Sequence, residues 1–404
     1  MRLLAASDLH IGRVPSLPEP HPDAHGRAAW EAVVERAVRV RADALLLAGD
    51  IVQSEDGFFE AFGALAAGVA RLRAEGIPVF AIAGNHDAGI SRKIAREIEG
   101  ITLLGMDGGW DTARVGGLAL TGCSFAMEER EDDPLDRFQA PEGPWLGLLH
   151  THLDGGAGNR YAPVRTEDFE RHGGDWVLGH IHRPGPQGRY GRAFYCGSAF
   201  ALDPTEEGLH GAWLLDFDGG FRLRERTLVP LSPWRFETLA VDLTGAPALQ
   251  DAQARIASAL GEASRAHQQG FDGSVYYNLR LEGECPFSGR IARKLAEAGL
   301  GNLALGDEGC RVRPTGRILD LTRPPLDLDA LVRESGPLGT LASLILRLEA
   351  GEPEPPGLEG LLGEMGELYG RYPLVRGESP RNAVLQAAKR LLQALDEQRE
   401  RRLA

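Results

Sequence analysis

Five apolar runs in this chain each stop at a cluster of aspartate, histidine, asparagine or glycine: RLLAA at SDLH, ALLLA at GD, IPVFAIA at GNHD, WLGLL at HTH and WVL at GHIH. Short apolar runs without alternation read as strands buried on both faces, the pattern of a parallel sheet. Stretches of helical period, AAWEAVVERAVRV and FFEAFGALAAGVARLRAEG, separate the first three runs, and TEDFERHG separates the last two. Strand, helix and strand in that order form βαβ units, so the expected class is α/β with a buried, largely parallel sheet. Ligands of such sheets bind in the crevice outside the carboxyl ends of the strands, where all five clusters fall.

Those ends deliver Asp8, His10, Asp50, Asn85, His150, His180 and His182 to one rim. Asp8 and His10 read as the end of a first strand, in which residues i and i+2 share a face. Oxygen and imidazole donors without thiolates suit manganese, iron or zinc. Seven donors exceed what one ion takes, so two ions sharing a carboxylate fit better. Two ions about 3.5–4 Å apart form the clamp used in phosphoryl transfer. His152 lies on the same strand face as His150, and spacing alone leaves either as a ligand. Each cluster by itself is ordinary: Gly49-Asp50 is a strand exit, Asn85 a turn residue, Asp87 a cap. Five of them at successive strand ends are not ordinary. His21, His25, His172, His210 and His267 follow no such run and read as solvated or structural.

At 404 residues the chain has room for two or three domains. Its four cysteines lie far apart with no CxxC pair, which argues against disulfides and thiolate zinc sites. No apolar run approaches the length of a membrane span, and the first residues enter a strand directly, so the expected compartment is the cytoplasm. A net charge of -14 argues against a broad basic surface for nucleic acid on this chain alone, though metals or a partner could supply the positive charge. The two prolines of PLSPWRF (230–236) suggest a boundary. From Phe236 to about Thr322 the pattern is strand, helix, strand, helix, strand, a small α+β domain. The rest reads as helical, interrupted by the linker-like GEPEPPG (351–357). Its last segment opens with a serine cap and a proline at the first helical position. Val384, Leu385, Ala388, Leu391, Leu392 and Leu395 then form one apolar stripe.

The ordered set DxH, GD, GNHD, H and GHxH, spread over about residues 1–230, resembles the calcineurin-like metallophosphoesterase superfamily. YAPVRTEDFERHGGDWVLGHIH and YCGS (195–198) further resemble the SbcD-type DNA-repair exonucleases, in particular their YhaO-like branch. The resemblance implies a layered αββα-type sandwich as a nuclease domain over 1–232, an α+β capping domain over 233–330 and a helical, partner-binding tail over 331–404. It implies two divalent ions, with manganese the expected metal. Asp8, His10 and His182 would hold one ion, and Asn85, His150 and His180 the other, with Asp50 shared. His86 would act on the leaving oxygen, and Asp87 would orient or polarise it. Gly197, Ser198 and Arg160 are the expected substrate contacts, with Arg183 near the same rim. Gln53 stands where relatives often carry a second substrate-handling histidine.

The function implied is an exonuclease or endonuclease on DNA ends, the nuclease subunit of an SbcC–SbcD-like complex. Expected partners are DNA, a coiled-coil ATPase of the SbcC type docked on helices from about Leu358 onward, and a second copy in a homodimer. IVQS follows Asp50 where protein Ser/Thr phosphatases carry DRG, which counts against that class. A phosphoesterase for small nucleotides would share the whole metal site. A catalytically silent scaffold for an ATPase should have lost ligands, and none is missing.

Overall fold

The computed structural model describes residues 1–54, 58–156, 158–186, 190–267, 271–300, 303–306, 310–352 and 380–403. The first sheet holds β1 (Arg2–Ala6), β2 (Ala44–Ala48), β3 (Val79–Ile82) and β4 (Ile101–Leu103) in parallel. The antiparallel hairpin β11 (Gly211–Phe217) and β12 (Leu223–Pro230) lies on its β1 side. A second sheet, in the order β5-β6-β7-β8-β10-β9, holds β5 (Asp111–Val115), β6 (Leu118–Cys123), β7 (Trp145–His150), β8 (Asp175–Gly179), β9 (Gly185–Pro186) and β10 (Ala193–Tyr195). Strands β6, β7, β8 and β10 are parallel, and β5 and β9 are antiparallel edges. The apolar runs alone pointed to one sheet; the five clusters in fact divide between two, three on the first and two on the second.

Burial explains the layering. Leu3, Ala5, Leu46 and Ile82 of the first sheet share a core cluster with Leu120, Leu146, Leu148, Val177 and Phe194 of the second. The opposite face of the first sheet packs on α1 (Ala28–Val40), α2 (Phe58–Ala74) and α3 (Ser91–Glu97). Trp30, Val33, Val34 and Ala37 of α1 recur at helical spacing and are all buried. The outer face of the second sheet is covered by Phe169 of α4 (Thr166–His172) with Leu135 and Phe138. The inner strands of both sheets are thus buried on both faces, the α/β sandwich with αββα layers.

A third sheet joins β13 (Trp234–Asp242), β14 (Gly273–Glu282) and β16 (Cys310–Asp320) in parallel, with β15 (Leu305–Gly306) antiparallel on β16. It packs with α5 (Leu249–His267) and α6 (Ile291–Glu297), whose Ile256, Leu260, Ile291 and Leu295 are buried. Residues 1–283 and 287–322 form one compact unit. Within it, Trp234, Phe236 and Tyr276 belong to the core cluster of the first sheet, and the Trp234 indole donates to the Ala201 carbonyl at 2.8 Å.

Residues 284–286 and 323–404 form a second unit. There α7 (Leu328–Leu331), α8 (Pro337–Glu349) and α9 (Pro380–Leu403) bury Leu331, Ala342, Ile345, Ala388 and Leu392 together. The stripe read from the sequence therefore faces α8 through Leu385, Ala388 and Leu392, while Leu391 is 53% exposed. Residues 353–357 of the linker-like segment, and helices expected between Leu358 and residue 379, lie outside the described residues. Among the described residues no helix is long and apolar enough to cross a membrane.

Candidate metal centre

Asp8 and His10 lie beyond β1, in the loop that follows it. The two converge through backbone in the left-handed region, with φ of 49° and 44°, and not through strand alternation. Asp50 (φ 50°) and His180 (φ 101°) share this conformation, which costs an L-residue on the order of 1–3 kcal/mol and persists only where surroundings enforce it. Here they do. The Asp8 and His10 amides donate to the Gly49 and Asp50 carbonyls at 3.1 and 3.0 Å, and the Ile11 amide to Ile51 at 2.9 Å. The DLHIG and GDIV segments thus run side by side. Gly49 (φ 92°) must be glycine, since a Cβ there would stand 2.4 Å from His150 Nδ1.

The seven predicted donors come together. Asp50 Oδ2 lies 3.7 Å from His10 Nε2 and 3.5 Å from His150 Nε2, between the two expected ligand sets. On one side His10 and His182 bring their Nε2 atoms to 3.1 Å, and His182 Nε2 is 3.8 Å from Asp8 Oδ1. On the other, Asn85 Oδ1 stands 3.1 Å from His150 Nε2 and 3.3 Å from His180 Nδ1. Asp8, His10 and His182, and likewise Asp8, Asp50 and His150, place one potential ligand atom each within 4.8 Å of the others.

Electrostatics fits a cation. Asp8, Asp50, His10 and His150 are all at most 2% exposed. Burial raises the carboxyl groups of Asp8 and Asp50 above their usual range, since a carboxylate stripped of water needs positive charge nearby. Their ion-pair neighbours among the described residues are histidines. Burial, reinforced by the other imidazoles, pushes His180 down to about 2 and His10 well below its ordinary value, so both are neutral, as ligands must be. An oxygen and imidazole set with two buried carboxylates, whose charged neighbours are imidazoles, suits two divalent ions.

Supporting contacts fix the imidazoles. A carbonyl only accepts, so at 2.9 Å from Ala48 O the His150 Nδ1 carries the hydrogen and Nε2 presents its lone pair. That contact and its complete burial favour His150 over His152, whose ring centroid lies 5.4 Å from that of His180. His182 Nδ1 is 2.7 Å from Glu206 Oε1. Glu206 Oε2 accepts the Ser198 hydroxyl at 2.6 Å and the Leu202 amide at 2.9 Å. Burial opposes charge on Glu206, but the hydrogen bond to His182 prevails and holds its carboxyl below the usual range. For His182 burial also acts downward, yet Glu206 and Asp8 lift it to about 9. No motif announces Glu206: it sits in the loop DPTEEG, four residues past the apolar run AFAL, with no histidine or second ligand type beside it.

Four of the expected residues meet a different placement. Asp87 gives both carboxylate oxygens to backbone, accepting the Ile51 amide at 2.6 Å and the Gly84 amide at 2.7 Å. It ties the GNHD loop to the GD loop, and the atom facing His86 Nδ1, at 3.1 Å, is the Gln53 carbonyl. Ser198 is fully buried; its hydroxyl is engaged with Glu206 and His210, and its amide donates to the His182 carbonyl at 2.9 Å. Gly197, also buried, is packed beside it against Pro184 and accepts the Ser7 hydroxyl at its carbonyl at 3.3 Å, so Ser198 supports His182 and neither residue is exposed to a substrate. Arg160 is exposed but its Nη1 is bound to both oxygens of Glu129, at 3.0 and 3.1 Å.

His86 is exposed, its ring centroid 5.0 Å from that of His10, and its amide donates to Asp50 Oδ1 at 3.0 Å. It lines a cleft of about 420 Å³ with Gln53, Asn85, Glu128, Glu129 and Tyr161. Tyr161, which sequence reasoning passed over, lays its ring 4.9 Å from that of His180 at 34°.

Residues 1–184 match the calcineurin-like phosphoesterase family. Over 239 residues the chain is 27% identical to the uncharacterised metallophosphoesterase YhaO of Bacillus subtilis (strain 168), a match covering 54% of this chain and 58% of YhaO. The chain thus spans less than two thirds of that relative's length. Among solved structures, a dimetal phosphatase from Danio rerio aligns with a TM-score of 0.36 and 12% identity, over 57% of this chain and 99% of its own. A purple acid phosphatase from yellow lupin seeds (Lupinus luteus) aligns with a TM-score of 0.37 and 12% identity, over 57% of this chain and 53% of its own.

Proposed function

We propose that this chain, whose residues 1–184 match the calcineurin-like phosphoesterase family, is a two-metal phosphodiesterase acting on DNA ends. The position of Asp50 Oδ2 between His10 and His150 carries the two-metal part of this reading. Asp8, His10 and His182 would hold one ion, Asn85, His150 and His180 the other, and Asp50 both. When bound, two divalent ions, manganese in this proposal, supply Lewis acidity to the phosphoryl group and activate water for attack. The chain's own residues do the rest. His86, its Nδ1–H held by the Gln53 carbonyl, turns Nε2 away from that contact; as the imidazolium, with a hydrogen on each nitrogen, it would give the Nε2 proton to the leaving oxygen and be left neutral. Its amide and the Asp87 clamp keep Asp50 and the GNHD loop in register.

Two observations support a polymeric substrate. The third sheet abuts the loop that carries Glu206, through a bridge from Glu207 to Phe236 and an Asn278 side-chain bond to the Pro204 carbonyl at 2.7 Å. YAPVRTEDFERHGGDWVLGHIH and YCGS also resemble the SbcD-type exonucleases. An acidic chain grips DNA poorly by itself, which supports a partner of the SbcC type docked on the helical tail, where Leu391 is exposed. Leu391→Glu should then abolish co-purification with such an ATPase, and undiminished co-purification would remove that partner from the account.

One feature favours a second reading. Glu128 and Glu129 line the cleft beside His86 and repel a long polyanion there, so a small phosphodiester is the alternative substrate. Incubating the purified protein and manganese with end-labelled DNA and with small phosphodiesters in parallel separates the two. Progressive shortening of DNA supports the nuclease, and cleavage of the small esters alone supports the alternative.

A further inference from the structure

The two proposed metal positions are not built alike. Around the first stand the Asp8 carboxylate and His182, which is backed by the buried carboxylate of Glu206 at 2.7 Å. Around the second stand the neutral side chain of Asn85 and His150, which is backed by the neutral Ala48 carbonyl at 2.9 Å. Asp50 is common to both. We infer that Glu206 is a positioning residue that makes the dinuclear centre unequal, so that the Asp8–His10–His182 position fills first and holds its ion more tightly. This rests on the two-ion reading above.

The physical reason is the anion behind the imidazole. A carboxylate on Nδ1–H fixes the tautomer and the ring orientation and makes Nε2 a stronger donor, and removal of such a partner typically costs 10–100-fold in metal affinity. Glu206 is itself held rigidly, since Oε2 accepts both the Ser198 hydroxyl and the Leu202 amide. An amide in its place loses the negative charge. Oriented to accept from His182, it also turns its NH2 toward the Leu202 N–H, donor against donor.

Metal-free full-length protein is titrated with Mn2+ by calorimetry and, in parallel, by the electron paramagnetic resonance signal of unbound Mn2+. The wild type should show a tight and a weak site. Glu206→Gln should weaken the tight site by about 10–100-fold and leave the weak one in place; the metal-free protein, which loses the His182–Glu206 pair, should stay folded but melt lower. Ser198→Ala, which leaves the carboxylate but loosens it, should weaken the same site by a smaller factor. Two equal sites in the wild type, or unchanged tight binding in both variants, would overturn the inference while leaving two-metal hydrolysis intact. Equal weakening of both sites would also overturn it, by making Glu206 merely structural. A wild type that binds no Mn2+ would end both this inference and the two-metal reading.

Discussion

Gly84→Ala tests how tightly the site is built. A Cβ on Gly84 would lie 2.2 Å from Asp50 Oδ1, 2.6 Å from the Asp50 amide nitrogen and 2.8 Å from His150 Cε1. Ordinary carbon contacts lie at about 3.5 Å, so one of these groups must move by roughly 1 Å. Retreat is blocked on both sides. The Gly84 amide is tied to Asp87 at 2.7 Å, and Asp50 Oδ1 is tied to the His86 amide at 3.0 Å. Overpacking of this kind costs about 1–3 kcal/mol of stability, and a 1 Å displacement of catalytic groups can cost about 10²-fold in rate. We therefore expect Gly84→Ala to fold, to melt several degrees lower, and to hydrolyse a generic phosphodiester about 100-fold more slowly at saturating manganese. Gly63→Ala is the control: it lies on α2 with open space at its Cβ and should be neutral or more stable by about 0.5–1 kcal/mol. Wild-type turnover and melting in Gly84→Ala would refute the claim that GNHD and GD are locked together.

Three further outcomes follow from the same geometry. Asp50→Ala removes the shared carboxylate, so bound manganese per chain, measured by elemental analysis after dialysis, should fall for both ions; full retention of one would mean Asp50 is not shared. His86→Gln should keep its metal while turnover falls by about 10²–10⁴-fold, and loss of metal would instead make His86 a ligand. Metal binding should depend on pH with a definite sign. Without metal, His182 holds its proton up to about 9 despite burial, because Glu206 and Asp8 stabilise the cation. An ion must displace that proton, so affinity should fall about tenfold per unit as pH drops from 9 toward 7. Calorimetry in buffers of different ionisation enthalpy should find about one proton released by the ion at that position at pH 7, and none released would contradict the assignment.

The parts of this molecule that obey simple periodicity were legible in advance. AAWEAVVERAVRV is α1 from its first residue to its last, and each of the five apolar runs is a strand. The donors were legible for the same reason: the carboxyl end of a buried strand is where such residues accumulate. The division into two sheets was hidden from the apolar runs, because β4 is only three residues long and DTARV is exposed or half-exposed throughout, with no apolar run to mark it. Convergence of Asp8 and His10 through left-handed backbone is enforced by pairing with the distant GD loop, which no local pattern reports. Glu206 was invisible because its role depends on a contact with His182, 24 positions earlier in the chain, that no local pattern reports. Asp87 and Ser198 drew attention through their motifs, but burial turned both from substrate toward support.

The central claim, a dinuclear centre that hydrolyses phosphodiesters, is tested most directly by counting the metal that turnover requires. Metal-free protein is given increasing equivalents of Mn2+, and the initial rate on a generic phosphodiester is followed. The account predicts little rate up to one equivalent, a rise to a plateau at two, and complete loss on adding a chelator. A plateau at one equivalent, or a rate that survives the chelator, would contradict it.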